Sequence, residues 1–267
     1  MAQKQRLDTL VCAKGLAESR QKAQQYIMAG EIYVNDIRVD KPGTSVNEDA
    51  LIEHRGAACP FVSRGGYKLE KAIQCFTVKL KEKSCMDIGA STGGFTDCML
   101  QNGANHVYCV DVGYGQLAWK LRNDPRVTNY ERTNIRALTA EHVPELLDFI
   151  SIDVSFISLT LVLPIAKKFL KSNGSIVALI KPQFEAGKGL VGKKGVVRDP
   201  KIHISVIEKM LTFCREQNYT VSGLSFSPVK GPKGNIEFLL YLGQTETEVD
   251  ISAIVEQAHK ELDGEKE

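Results

Sequence analysis

Residues 85–97 read Cys85-Met86-Asp87-Ile88-Gly89-Ala90-Ser91-Thr92-Gly93-Gly94-Phe95-Thr96-Asp97. The apolar run to Ile88 has the look of a short buried strand, and Gly89 ends it. Phe95, Cys98 and Met99 then recur at i, i+3 and i+4, the period of a helix with one apolar face, which stops at Asn102-Gly103. A strand, a glycine turn and a helix N-terminus together can hold a nucleotide-like ligand against backbone N–H groups. An ordinary tight βα turn would use the same residues. The dinucleotide fingerprint needs glycine at its second position so that a pyrophosphate can approach the backbone. Here that position is Ser91. A phosphate-free nucleoside such as S-adenosylmethionine is therefore the expected cofactor.

Outward from this stretch the pattern repeats. Residues 106–111 are a second apolar run that ends in Asp111, 24 residues after Asp87. A nucleoside-binding sheet places the carboxylate for the ribose hydroxyls at about this point, although a strand-end turn can also use an aspartate. Residues 127–130 suggest a third strand, 147–153 a fourth ending in Asp153, and 176–182 a fifth ending in Lys181-Pro182. Strands separated by helical segments predict a parallel sheet with right-handed crossovers. Its ligands should gather where the strands end. Asp87, Asp111, Asp153 and Lys181 all fall at such ends. A helix over 199–217, a strand over 220–227 and a last strand over 236–242 follow. Glu237 is a charge at the mouth of that last, otherwise apolar strand.

The front of the chain is a separate unit. Leu7, Leu10 and Val11 mark a helix ended by Gly15, and Ser19 can cap a second that carries Ala23, Tyr26 and Ile27 inward. Two alternating runs meet at Asn35-Asp36, and a further strand is expected over 50–53. Residues 59–62 look like a connector. Ser63-Arg64-Gly65-Gly66 then opens a helix with Leu69, Ala72, Ile73 and Phe76 on its core face, and Lys68 beside that stripe.

Bulk numbers bound the reading. The chain has 267 residues and a net charge of +2. Residues 63–243 carry 24 basic and 16 acidic side chains, whereas 244–267 carry 2 and 8. A basic body suits a polyanionic partner, and a solvated surface would show the same excess. The seven cysteines contain no Cys-x-x-Cys pair, so buried free thiols in a reducing cytoplasm are expected. The start, Met1 to Arg6, is too polar for a signal peptide. The apolar window 146–166 contains Asp148, Asp153 and Pro164 and reads as a strand followed by a helix rather than a membrane span. The five histidines are scattered and no metal is expected. The glycine-rich basic loop 187–198 lacks the strand of a phosphate-binding P-loop, so its cations suit phosphates without nucleotide hydrolysis.

Two resemblances sharpen these expectations. Arg6-Leu7-Asp8, Ser19-Arg20, the run from Ala29 to Asn35 and Lys41-Pro42-Gly43 resemble the small RNA-binding domain named after a small-subunit ribosomal protein. The resemblance implies RNA contacts at Arg6, Arg20, Lys22 and Lys41. Lys68, Asp153, Lys181 and Glu237 are similar, in order and element, to the Lys-Asp-Lys-Glu tetrad of FtsJ-like ribose 2′-O-methyltransferases. The words around them, Ser63 to Leu69, Asp87 to Asp97, Asp153 to Ser158 and Lys181 to Glu185, resemble the TlyA family, whose members are often labelled haemolysins.

That family implies an α/β fold: a Rossmann-like class I methyltransferase sheet, mostly parallel with the last strand antiparallel, after a small α+β RNA-binding domain. The domains would be 1–60 and 61–243, with an acidic, helical tail over 244–267. The implied activity is S-adenosylmethionine-dependent 2′-O-methylation of cytidine in ribosomal RNA, by a cytoplasmic protein expected to be a monomer. Asp87, Gly89, Ala90, Ser91, Thr92, Gly93, Gly94, Phe95, Asp111 and Val112 would bind the cofactor. Arg64, Lys188, Lys193, Lys194 and Arg198 would join the RNA contacts. A ribose hydroxyl is a very weak acid, so methylation needs a base, and lysine is protonated at neutral pH at its ordinary pKa of about 10.4. Lys181 is the expected base, oriented by Lys68, Asp153 and Glu237. Two other classes compete: a membrane-active toxin, which needs an export signal and an inserting segment, and an assembly factor that binds RNA without catalysis.

Overall fold

In the computed structural model the chain divides into two units, Met1–Arg64 and Gly65–Glu267. The structure describes residues 4–35, 37–54, 59–187, 189–192, 195–231 and 233–263. The first unit runs β1 (Lys4–Arg6), α1 (Leu7–Ala13), α2 (Arg20–Met28), β2 (Ile32–Val34), β3 (Ile37–Arg38), β4 (Ser45–Asn47) and β5 (Ile52–His54). Ser19 caps α2, its Oγ accepting the Lys22 N–H at 3.1 Å. Antiparallel β3-β2-β5 and β1-β4 form two small sheets. Leu7, Leu10, Val11, Ala23, Ile27 and Ile32 make the core. Strands β1 and β4 are absent from the sequence reading because Lys4–Arg6 holds no apolar residue and Ser45–Asn47 only Val46. The strand expected over 50–53 lies at Ile52–His54.

The second unit contains α3 (Gly65–Phe76), β6 (Ser84–Ile88), α4 (Gly94–Gln101), β7 (His106–Val110), α5 (Trp119–Arg122), β8 (Val127–Tyr130), β9 (Leu147–Ile152) and α6 (Leu159–Ala166). It continues with β10 (Leu170–Ile180), α7 (Pro182–Glu185), α8 (Pro200–Glu216), β11 (Thr220–Phe226), β12 (Phe238–Gly243) and α9 (Ile251–Asp263). Seven strands form one sheet in the order β11-β12-β10-β9-β6-β7-β8. The pairs from β10 to β8 are parallel, and β12 is antiparallel to both neighbours. The central strands are buried almost throughout, as a parallel sheet covered on both faces requires.

Chain direction across the sheet reverses at β6: β7 and β8 are added on one side, β9 and β10 on the other. A crevice beyond the carboxyl ends of β6, β7 and β9 follows from that switch. In this unit two strand starts differ from the sequence reading. β10 begins at Leu170, its first turn of chain being too polar to read as strand. β12 begins at Phe238, which leaves Glu237 just outside the ladder. The acidic tail forms α9, which buries Val255 and Ala258 and is part of the second unit's core.

Candidate active site

The crevice is a cavity of about 470 Å³. Gly89 and Ser91 from the turn after β6, Asp111 and Val112 after β7, and residues 153–157 after β9 line it, with Gln116, Asn134, Ile135 and Val162 completing the wall. Gly89 has φ +84, and a Cβ there would lie 2.5 Å from the Asp153 carbonyl oxygen. Only glycine lets these two strand ends pass so closely. Asp111 Oδ2 accepts the Ser91 N–H at 2.8 Å and Oδ1 accepts the Gly113 N–H at 2.6 Å. A carboxylate has about four acceptor positions, so the remaining two can face a ribose diol. Apolar Val112, Ile135 and Val162 suit a base. The residues present fit an adenosine-like group.

Six of the expected cofactor residues do not border this cavity: Asp87, Ala90, Thr92, Gly93, Gly94 and Phe95. Asp87 lies within β6 and is turned into the core, where its carboxylate accepts the Thr96 N–H at 3.0 Å, the Thr96 hydroxyl at 2.7 Å and the Ser151 hydroxyl at 3.2 Å. It ties the first turn of α4 to the sheet. Burial pushes its pKa up to about 7, against the pull of Thr96 and Ser151. Gly93, at φ +91, packs against Leu117 and Leu121, while Ala90 and Phe95 are buried.

Beside the cavity, four charged side chains from four elements form one alternating row. Lys68, from α3, puts Nζ 2.6 Å from Glu237 Oε2 and 3.4 Å from Asp153 Oδ2. Asp153 Oδ1 lies 2.5 Å from Lys181 Nζ, which also donates to Ser155 Oγ at 3.1 Å. Asp153 and Lys181 meet because β9 and β10 are neighbours. Glu237 is 1% exposed, and Lys68 and Lys181 are each 8% exposed. Charges so buried persist only when paired. Gly231 makes the space for Glu237: a Cβ there would lie 2.6 Å from Oε1. Burial pushes Lys68 down, but Asp153 and Glu237 outweigh it and hold the ammonium above its ordinary value. Burial likewise pushes Asp153 up, and the two ammoniums overcome it and hold the carboxyl below the usual range.

These observations meet the comparison with known proteins. Residues 61–244 match the FtsJ-like methyltransferase family. The chain belongs to that family. This FtsJ-like methyltransferase also matches the S4 domain over residues 5–52. It is 52% identical to "Putative rRNA methyltransferase YqxC" of Bacillus subtilis, over 99% of this chain and 98% of that one. It is 43% identical to "16S/23S rRNA (cytidine-2'-O)-methyltransferase TlyA" of Mycobacterium tuberculosis, over 95% and 94%. The solved structure "Putative hemolysin from Streptococcus thermophilus" aligns with a TM-score of 0.78 at 45% identity, covering 99% of this chain and 98% of that one.

In the S4 domain, Arg6 and Arg20 have a task of their own. The carboxylate of Asp8, fully buried, accepts from Arg6 Nε at 3.0 Å, Arg6 Nη2 at 2.9 Å, Arg20 Nε at 3.1 Å and Gln24 Nε2 at 2.8 Å. The Arg6 hydrogen bond holds the Asp8 carboxyl well below the usual carboxylate range, against its burial. Both arginine side chains remain more than half exposed, at 53% and 56%. Lys41 and Arg198 are exposed, and Lys22 lies over the Tyr26 ring at 5.2 Å. Lys188, Lys193 and Lys194 lie outside the described residues. Sequence reasoning missed Asp8, which gathers Arg20 and Gln24 from the next helix, and Gln116 and Asn134, which enter the cavity wall from loops without periodicity. Ser155 was visible in the Asp153-Val154-Ser155-Phe156 word but was not assigned a role. Of the thiols, Cys75 is exposed, contrary to the expected burial, because it sits off the core face of α3.

Proposed function

We propose that this methyltransferase methylates the ribose 2′-hydroxyl of a cytidine in ribosomal RNA, with S-adenosylmethionine as donor. The observation that carries the reading is Asp153, which lines the nucleoside-sized cavity and bridges Lys68 and Lys181 on the same side. When bound, S-adenosylmethionine supplies an electrophilic sulfonium methyl. Asp111 would hold the cofactor ribose, and Gly89, Ser91 and Val112 would shape its bed. For the transfer, Lys181 would first give up its ammonium proton to solvent, and the neutral Nζ would then take the proton from O2′. Asp153 orients Lys181 while its negative charge is shared with Lys68, which stays an ammonium. Glu237 holds Lys68 in place. In-line placement of O2′ against the methyl supplies much of the rate.

RNA recognition is assigned to the S4 unit through Arg6, Arg20, Lys22 and Lys41, and to Arg64, Lys188, Lys193, Lys194 and Arg198. A ribosomal substrate puts the enzyme in the cytoplasm. No helix among the described residues is long and apolar enough to cross a membrane. The test is a map of ribose methylation on ribosomal RNA from cells with and without the gene. At least one cytidine is expected to lose its 2′-O-methyl group, and an unchanged map sinks the proposal. Asp111→Ala is expected to weaken S-adenosylhomocysteine binding by about 2 kcal/mol, roughly thirtyfold, because charge-assisted hydrogen bonds to the diol are lost. Calorimetry checks it.

A further inference from the structure

Asp153 and Lys181 stand on two different turns, the one after β9 and the one after β10. Something must hold these turns in register if an ion pair between them is to have one geometry. The β9 turn runs from Asp153 to Ser158 and then enters α6. It is fastened at its start by the Asp153 N–H, which donates to Ile88 O at 2.9 Å. Its middle is held by Lys181 on Ser155. Immediately after Ser155, Phe156 has φ +65 and is 88% exposed. A bulky residue in the left-handed region costs on the order of 1–3 kcal/mol and persists only where its surroundings enforce it.

The far end of the turn is held from outside α6. Glu185, last residue of α7, reaches across with both oxygens: Oε2 accepts the Ser158 hydroxyl at 2.7 Å and Oε1 accepts the Leu159 N–H at 2.8 Å. Ser158 already caps its own helix, its Oγ accepting the Thr160 N–H at 3.2 Å. What Glu185 adds is the connection between turns. It is rigidly placed relative to Lys181, because the Phe184 N–H donates to Lys181 O and the Ala186 N–H to Pro182 O, both at 2.9 Å. Phe184 beside it rests on Phe156, ring centres 5.0 Å apart.

We infer that Glu185 is a positioning residue, a clamp that joins the Asp153 turn to the Lys181 turn and so sets the separation of the base from its carboxylate. This rests on Lys181 being the base. The clamp needs two hydrogen bonds, one to Ser158 and one to Leu159, not a charge. A glutamine can supply both, its oxygen accepting the Leu159 N–H and its amide donating to Ser158 Oγ.

The test is single-turnover methylation of ribosomal subunits from cells lacking the gene, with full-length enzyme saturated in S-adenosylmethionine. E185A is expected to lose about tenfold in rate, below the hundredfold that a 1 Å misplacement can cost. Its KM for the RNA should stay unchanged and its pH–rate profile should be displaced. E185Q should restore most of the rate and the wild-type profile. S158A, which removes one of the two contacts, should lose about threefold and covers the case that E185A does not fold. Wild-type rates and profiles for E185A and S158A would overturn the clamp, as would E185Q being as slow as E185A. K181A separates the two ideas. If K181A turns over normally, the base assignment itself is wrong. If K181A is inactive while E185A and S158A are unaffected, only the clamp fails.

Discussion

Lys181→Ala is expected to lower methyl transfer by roughly 10²- to 10⁴-fold, the usual contribution of a positioned proton acceptor. Binding of S-adenosylhomocysteine should be nearly unchanged, because Lys181 does not line the cavity. The fold should also survive. Asp153 keeps Lys68 as a partner at 3.4 Å, and no buried ammonium is left unpaired. Lys181→Arg should not rescue turnover, since a guanidinium keeps its proton and cannot accept another. The measurement is single-turnover methylation alongside calorimetry. Normal turnover by a variant that still binds cofactor would remove Lys181 from its role. Asp153→Ala is a less clean probe, because it leaves two buried ammoniums without their common carboxylate, a loss of about 3–5 kcal/mol.

Gly89→Ala should have the largest effect of any single methyl group added to this chain. The residue has φ +84, and the new Cβ would meet the Asp153 carbonyl oxygen at 2.5 Å and its carbon at 2.9 Å. Neither is the flexible end of a side chain. The Gly89 N–H donates to Val110 O at 2.8 Å and the Asp153 N–H to Ile88 O at 2.9 Å, so the turn cannot slide away without breaking the ends of three strands. The expected cost is about 2–4 kcal/mol of stability, with cofactor affinity down more than about tenfold. Gly115→Ala is the control. It shares a positive φ, +69, but nothing lies within 4 Å of its Cβ, so only conformational strain of about 1 kcal/mol is expected. Thermal unfolding and calorimetry would compare the two. Equal behaviour would mean that the close approach at Gly89 carries no weight.

Much of this molecule was legible in its residue order. The change from buried apolar runs to helical periodicity marked the strands of a doubly wound sheet, and Ser91 in place of glycine turned the turn after β6 away from pyrophosphate. The order of Lys68, Asp153, Lys181 and Glu237 matched a known tetrad before any contact was seen. Asp87 shows the limit of that reading. Like Asp111 it stands near the end of an apolar run, yet one carboxylate turns into the core beneath α4 and the other faces the cavity. Asp87 is level with Cys109 inside the ladder, where α4 covers it, whereas Asp111 follows the last residue of β7 and stands at the crevice beyond the strand ends.

Periodicity records neighbours two, three or four places apart, and these the chain's own order determined: which segments are strands, which are helices, where glycine must stand. The pairs that make the candidate site are separated far more widely, Lys68 from Asp153 by 85 positions and from Glu237 by 169. Their meeting depends on the order of strands in the sheet, which places β9 beside β10 and sets β12 antiparallel on the other side of β10. Only the tertiary structure decided that one carboxylate stands between two ammoniums, that Gly231 clears room for Glu237, and that Asp8 gathers Arg6 and Arg20. The physical reason is that burial makes each of these charges depend on a partner, and a partner is chosen by packing rather than by proximity along the chain.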